Sequence, residues 1–347
     1  MSMNFNRIIY EWYANNKRLL PWRDTRQPYS IWVSEVILQQ TRVDQGLDYY
    51  YRFLENFPTV FHLAQSSEQQ VLSVWKGLGY YSRARNMHAT AKMVVDKFDG
   101  FFPSNYNDLI VLRGIGPYTA AAVASICGNE PVPVVDGNVI RVFSRIFGLH
   151  EPVGSSQGYK KVYQKSLEFI DSHDPGTYNQ AVMEFGALLC KPRQPICNEC
   201  IFQKDCFAYN NNMVTELPVP KGASLKRERF FNYLIFQKPD GSLLMQKRIE
   251  NDIWKNLWEF PLIEDKRLLS PSEVKHSLLE ADKGKLVPAP KDVRHILTHQ
   301  VIHARYFYVD KLPANTEALV WQHNPLEFGL PVSRMIEKFL ETSKMVK

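Results

Sequence analysis

The sequence predicts a mainly α-helical protein with a smaller α+β part towards its C-terminal end. Three observations carry this. Apolar residues recur at helical spacing up to about residue 206, with no strand-like alternation between them. Four of the five cysteines then fall within the 17 residues from Cys190 to Cys206. Beyond about residue 228 the pattern changes to short aromatic and β-branched runs separated by turn residues. A length of 347 residues also suggests two domains. The expected division is a helical domain over 1–206, a linker over 207–227 and an α+β domain over 228–347.

Helical periodicity marks 5–14, 30–41, 43–57, 68–76, 82–98, 106–112, 117–127, 138–147, 158–172 and 178–189. Pro58, Gly77, Pro103, Gly114 and Pro133 punctuate these segments. The linker is polar at Asn210, Asn211 and Asn212 and is broken by Pro218, Pro220 and Gly222. Strands are expected over 230–237, 242–247, 257–262, 295–297 and 301–309, with Asp240-Gly241 as a hairpin turn. Helices are expected near 271–281 and 331–343. No internal repeat is present.

With 45% hydrophobic residues the chain has material for sizeable cores. A net charge of +6 permits a polyanionic partner without demanding one. Residues 1–12 lack the apolar run of a signal peptide. No stretch approaches the roughly 18 apolar residues of a membrane helix. A cytosolic protein without membrane contact is expected. In a reducing compartment four clustered cysteines read as a metal site before they read as disulfides.

Cys190, Cys197, Cys200 and Cys206 follow the spacing C-x6-C-x2-C-x5-C. Zinc sites usually join two short pairs across a longer gap. Here Cys197 and Cys200 form the one short pair, so an iron–sulfur cluster is favoured and zinc is the runner-up. Lys191, Arg193 and Lys204 interleave the thiols and could meet phosphate, or be ordinary solvated charges.

Leu112-Arg113-Gly114-Ile115-Gly116 lies between two helical segments. Gly114 and Gly116 permit a tight hairpin with free backbone amides. Pro117 suits the first turn of the next helix, whose N-terminus suits a phosphate. About 20 residues on, Asp136 in Val134-Val135-Asp136-Gly137-Asn138-Val139 precedes a helix. Its plain role is N-cap. A helix N-terminus also favours the ionised carboxylate that a developing cationic sugar requires.

Taken together, the hairpin, the Val-Asp-Gly-Asn-Val element and the four cysteines resemble the helix–hairpin–helix DNA glycosylase superfamily, over roughly residues 5–206. Leu20-Pro21-Trp22-Arg23, the run from Ser34 to Thr41 (Ser-Glu-Val-Ile-Leu-Gln-Gln-Thr) and the run from Gly77 to Asn86 (Gly-Leu-Gly-Tyr-Tyr-Ser-Arg-Ala-Arg-Asn) resemble the adenine-specific MutY branch. Relatives that cleave the strand, similar to endonuclease III, carry a Schiff-base lysine just after the hairpin. Tyr118 stands there in this chain, so lyase chemistry should be weak or absent.

The resemblance implies monofunctional hydrolysis of the N-glycosidic bond of an adenine mispaired with 8-oxoguanine or guanine in double-stranded DNA. The adenine is flipped out of the duplex. Glu35, flanked by apolar residues, protonates the base at N7 and later helps activate water. Asp136 stabilises the oxocarbenium-like sugar. At about 4 Å and an effective dielectric of about 20, a carboxylate contributes roughly 4 kcal/mol, on the order of a thousandfold in rate. Tyr118 hydrogen-bonds within the site, and Asn138 holds the backbone or the water. Leu20, Trp22, Arg23, Val43 and Gln180 line the adenine pocket. Gln40 and Tyr81 enter the duplex beside the opposing base, with Thr41 at the substrate. Gly114 and Gly116 meet the DNA backbone. The four cysteines hold a [4Fe-4S] cluster, and a monomer associated with the nucleoid is expected.

The residues from Gly241 to Arg248, followed by 254–261, resemble the opening strands of a Nudix fold. The stretch after Pro261 lacks the acidic run that holds magnesium in hydrolytic members. A non-hydrolytic domain that checks the opposing base is therefore expected. The family reads the lesion with a Phe-Ser-His loop. Here Leu297-Thr298-His299 keeps a hydroxyl and the histidine and replaces the aromatic ring. The alternatives are another mismatch or oxidised-pyrimidine glycosylase of the superfamily, and a noncatalytic iron–sulfur DNA-binding protein. Glu35 together with Asp136 argues against the latter, and the missing acidic run argues against a nucleotide pyrophosphohydrolase.

Overall fold

A computed structural model of the chain describes all residues except 1–3, 221, 223–224, 279–283, 312–318, 324, 326–329 and 344–347. The chain divides into two compact units, Met1–Ser66 with Asn86–Gly222 and Ser67–Arg85 with Ala223–Lys347. The stretch Ser67–Arg85, read from the sequence as part of the helical domain, groups with the C-terminal part of the chain.

The first unit contains α1 (Phe5–Asn16), α2 (Pro28–Leu38), α3 (Val43–Asn56), α4 (Val60–Gln65), most of α6 (Ser82–Phe98), α7 (Tyr106–Ile110), α8 (Pro117–Cys127), α9 (Gly137–Phe147), α10 (Ser156–Leu167), α11 (Pro175–Leu188) and α12 (Phe207–Asn210). Side-chain caps start several of them: Thr59, Asn105, Asp136, Ser155 and Asp174 each accept from an amide three residues on. Proline opens α2, α8 and α11. Helix α2 was expected to reach residue 41. It stops at Leu38, and Gln40 takes a left-handed φ of 58°. The segment expected over 158–172 ends at Leu167.

Phe5, Phe143, Tyr178, Phe185 and Phe202 form the centre of this core. Phe5 stacks on Phe202 at 4.9 Å. Phe202 sits among the cysteines, and Cys190 and Cys206 join the same core. Full burial of such a ring contributes about 1.5–3 kcal/mol, so the cysteine loop is anchored by apolar packing as well as by any metal. Helix α8 is buried from Thr119 to Ile126. Its alanines let α2, α7 and α11 approach closely, which brings residues distant in sequence around one cavity.

The second unit contains α5 (Glu68–Val74) and two sheets. In the larger, β1 (Arg227–Phe236) runs parallel to β7 (Gln300–Val309). β4 (Leu262–Asp265) flanks β1, while β5 (Leu286–Pro288) and β6 (Val293–Ile296) both pair antiparallel with β7. The smaller has the order β3 (Trp258–Glu259), β2 (Leu243–Lys247), β8 (Leu319–Gln322). One face of β1, with Phe231, Tyr233 and Ile235, packs with Met335, Ile336, Phe339 and Leu340 of α14 (Arg334–Thr342). The other, with Leu234 and Phe236, packs with Val274 of α13 (Pro271–Ser277). Burial on both faces is what a central parallel pair requires.

The turn at Asp240-Gly241 forms, with Gly241 at φ 85° donating its amide to the Lys238 carbonyl. It does not close a hairpin ladder. β1 and β2 belong to different sheets and meet through the single bridge Gln237–Leu243. The strand expected over 257–262 is split into β3 and β4 around Phe260-Pro261, where proline offers no amide to a ladder. β5 and β8 were not anticipated; each is short and lacks clear alternation. The expected helix near 271–281 is seen to Ser277, and 279–281 lie outside the described residues.

Candidate active site

Within the first unit a cavity of about 440 Å³ is lined by side chains from six segments. Glu35 of α2, Tyr118 of α8, Asp136 and Asn138 at the start of α9 and Gln180 of α11 all face it, with Leu20, Trp22, Arg23, Thr41 and Val43. Gln40 is exposed and lies outside the lining. Sequence reasoning missed Arg18, Leu38, Met183 and Glu184. The last of these was signalled by its place one helical turn after Gln180.

Glu35 is 7% exposed. Its Oε2 accepts the Tyr118 hydroxyl at 2.5 Å. Burial pushes its carboxyl up to about 7. The Tyr118 hydrogen bond and the Arg23 charge pull it down, and the Asp136 charge adds to the rise. Glu35 is therefore protonated in a substantial fraction of molecules near neutrality. Burial and the fields of Glu35 and Asp136 raise the Tyr118 phenol well above its usual range, so it stays a hydrogen-bond donor.

Asp136 caps α9. Its Oδ1 accepts the Val139 amide and its Oδ2 the Asn138 side-chain amide, both at 2.7 Å. Burial raises its pKa, and these hydrogen bonds with the Arg141 charge partly offset the rise. Asn138 is held in turn, because its Oδ1 accepts Arg141 Nη2 at 2.7 Å. Arg141 also donates to the Gly186 carbonyl through Nη2 and to the Cys190 carbonyl through Nε, each at 2.7 Å. One buried guanidinium thus links the support of Asp136 to the first cysteine. A Cβ on Gly186 would lie 2.7 Å from the Asn138 Cβ, so α11 passes α9 at a distance that requires glycine there.

Trp22 is buried and meets Tyr50 edge-on at 5.2 Å. Gln180 Oε1 accepts the Tyr13 hydroxyl at 2.8 Å. At the hairpin between α7 and α8, Gly114 has φ 76° and its missing Cβ would meet the Asn86 side chain at 2.5 Å. Gly116 has ordinary extended backbone as the N-cap of α8, and nothing approaches the place of its Cβ. An exposed helix N-terminus without a side chain is accessible to phosphate.

The four thiols are unpaired. Cys200 is pushed up to about 12 by burial, with the charges of Cys190, Cys206 and Cys197 contributing after a backbone hydrogen bond that opposes them. Arg145 Nη1 lies 3.5 Å from Cys190 Sγ and also binds the Lys191 carbonyl. Among the described residues no three His, Cys, Asp or Glu side chains are gathered tightly enough for a single metal ion.

The remaining expected site residues lie in the second unit. Thr298 and His299 are exposed at the tip of the β6–β7 hairpin, where the Leu297 amide donates to the Gln300 carbonyl. Both line a cleft of about 730 Å³ with Tyr80, Arg85, Lys226, Trp254 and His295. Tyr81 does not fit the role expected of it. It is 6% exposed and its hydroxyl donates to the Val332 carbonyl, whereas Tyr80 is 49% exposed, has φ 47° and shares a 2.6 Å hydrogen bond with the Thr298 hydroxyl. The doubled tyrosine gave sequence reasoning no way to choose between neighbours.

Residues 33–171 match the HhH-GPD superfamily base excision DNA repair protein model, and 232–342 match a NUDIX domain. An adenine DNA glycosylase of Buchnera aphidicola subsp. Schizaphis graminum is 31% identical over 98% of this chain and 99% of its own length. Among solved structures, a thermostable thymine-DNA glycosylase is 26% identical with a TM-score of 0.56, covering 60% of this chain and 95% of its own. A non-covalent endonuclease III–DNA complex, 21% identical with a TM-score of 0.53 over 61% of this chain and 98% of its own, shares the fold. No helix among the described residues is long and apolar enough to cross a membrane. The chain belongs to the adenine DNA glycosylase family of the helix–hairpin–helix superfamily, base-excision repair hydrolases that act on N-glycosyl bonds.

Proposed function

We propose that this glycosylase excises adenine mispaired with 8-oxoguanine or guanine, with Glu35 as the acid and Asp136 as the carboxylate that faces the sugar. The observation that carries the reading is the pairing of a buried carboxyl, held near neutrality and bonded to Tyr118, with a capped carboxylate in one base-sized cavity. Glu35 gives its proton to adenine N7, which turns the base into a neutral leaving group. Asp136 offsets the positive charge that develops on the sugar, and Asn138 fixes its orientation. Leu20, Trp22, Val43, Thr41 and Gln180 enclose the base. Tyr118 has no amine for an imine, so the reaction ends at hydrolysis.

The amides at Gly114 and Gly116 are the phosphate contacts of this reading. Gln40, strained and exposed, enters the duplex. In the cleft of the second unit, Tyr80, Thr298 and His299 read the opposing base, with Tyr80 in the place expected for Tyr81. The glycosylase domain expected over 1–206 corresponds to the first unit, which lacks Ser67–Arg85 and runs on to Gly222, and the lesion-reading domain to the second, in a monomer that works on the nucleoid. Cys190, Cys197, Cys200 and Cys206 hold a [4Fe-4S] cluster. The field of the other three thiols at Cys200 supports four ligands gathered around one centre. When bound, the cluster ties the loop that presents Lys191, Arg193 and Lys204.

The test is base release from a defined duplex set. Adenine opposite 8-oxoguanine should be released fastest, adenine opposite guanine more slowly, and thymine opposite guanine not at all. Release of thymine instead of adenine would assign the site to another branch of the superfamily.

A further inference from the structure

Glu184 is 1% exposed and accepts five hydrogen bonds from two arginines. Arg18 donates through its amide and Nε, each at 2.9 Å, and through Nη2 at 2.6 Å. Arg23 donates through Nη1 at 2.9 Å and Nη2 at 2.6 Å. Arg23 Nη1 also binds the Arg18 carbonyl at 2.7 Å. Both arginines belong to the stretch between α1 and α2, whose regular structure is one 3-10 turn, Pro21–Arg23. That stretch also carries Leu20 and Trp22 into the cavity wall. A wall of the base cavity therefore hangs on one carboxylate of α11.

The same contact sets charge. Two guanidiniums and one carboxylate leave a net charge of one positive beside the cavity. Burial alone would raise Glu184, but the hydrogen bonds from Arg18 and Arg23 outweigh it and hold the carboxyl at about 2, so its negative charge is permanent. The Arg23 charge acts on Glu35 in the direction of proton loss. The other groups facing Glu35 are Tyr118 from α8, Asp136 at the start of α9 and, more weakly, Cys127 at the end of α8. Around the arginines stand Tyr13 from α1, 5.6 Å from Arg23, and Asp44 from α3, whose charge reaches Arg18. Tyr13 is neutral, kept so first by burial, and Asp44 is exposed to solvent, so neither replaces a buried carboxylate.

We propose that Glu184 is a positioning residue for excision: it fixes the Arg18–Arg23 segment as a wall of the base cavity and cancels enough guanidinium charge for Glu35 to keep its proton. This rests on the adenine-excision reading. It also bears on the leaving base, because an uncancelled positive wall opposes protonation of adenine itself.

The test compares full-length wild type with Glu184→Gln and Glu184→Asp in single-turnover adenine release across pH. Glu184→Gln keeps the shape and loses the charge. Its rate should fall about tenfold or more while duplex affinity stays within about threefold, and the alkaline limb of its rate–pH profile should move down by about half a pH unit to one unit. Glu184→Asp keeps the charge and should keep the limb in place. An unmoved limb in Glu184→Gln, or a defect that disappears at temperatures where the variant is fully folded, overturns the proposal. A second readout needs no turnover: the Glu35 side-chain carboxyl, followed by 13C NMR, should titrate lower in Glu184→Gln. If it does so in an enzyme that releases no adenine, the excision reading falls and the electrostatic role stands.

Discussion

Glu35 is an unfavourable residue where it sits, and the acid role proposed for it depends on that. A rise from the usual 4.5 to about 7 corresponds to about 3 kcal/mol of folding stability. The sign follows from the protonated form being the one the fold prefers. The cost relative to an unburied acid is absent well below pH 4.5, where both states are protonated, grows as pH rises from about 4.5 to about 7, and is complete above that. Glu35→Gln should therefore unfold at a higher temperature than wild type at pH 8, with the gain vanishing near pH 4, and should bind duplex without releasing base. A variant that loses activity and stability together at pH 8 would show that Glu35 is a packing residue. Asp136→Asn keeps the cap through its side-chain oxygen but loses the charge, and should reduce release by on the order of a thousandfold, read in single turnover. The burial of Glu35 and the capping by Asp136 were legible in the sequence because their flanking residues are apolar or helix-initiating, whereas the roles proposed for them came from the family resemblance. Tyr81 was misread because adjacent residues of one type differ in direction, and a single left-handed residue at Tyr80 decides which one emerges.

At the scale of elements, α9 and α11 position the residues to which the chemistry is assigned. Asp136 and Asn138 begin α9, Arg141 and Arg145 follow one and two turns later, and Gln180, Met183, Glu184 and Gly186 belong to α11. Arg141 joins Asn138 to the carbonyls of Gly186 and Cys190, so disturbance at either end reaches Asp136. Gly186→Ala should displace Asn138 and lower kcat more than it lowers duplex affinity, as measured by single-turnover and titration experiments. An unchanged kcat would show that Asn138 is not needed to hold Asp136. Arg141→Ala removes the donor to four acceptors, the Gly137, Gly186 and Cys190 carbonyls and the Asn138 side-chain oxygen, and each one left buried without a partner costs about 1–3 kcal/mol. It should lower both melting temperature and activity. The Arg141 network was not visible in the sequence. Buried arginines bonded to carbonyls leave no pattern in a periodic helix, whereas the caps, the prolines and the four cysteines do. Strand pairing was also hidden, because β1 finds its long parallel partner in β7, some 70 residues away, and not across the Asp240-Gly241 turn.

At the scale of the whole molecule, helical segments up to residue 206 and the change to strands after 228 were legible from period and composition, since apolar burial imposes them. The grouping of Ser67–Arg85 with the C-terminal part of the chain was not, because it depends on contacts such as Arg85 to the Lys255 carbonyl and Asn256 to Glu68. Those contacts place Tyr80 and Thr298 in one unit. Thr298→Ala should therefore reduce the preference for 8-oxoguanine over guanine as the opposing base, leaving release opposite guanine within about threefold. Equal loss opposite both bases would remove Thr298 from lesion reading. The most direct test of the whole account is single-turnover release from a duplex with adenine opposite 8-oxoguanine, followed from pH 5.5 to 9. Free adenine should appear without strand cleavage, with a rate that falls as pH rises through about 7, where Glu35 loses its proton. Absence of adenine release, or a rate that rises through that range, would contradict it.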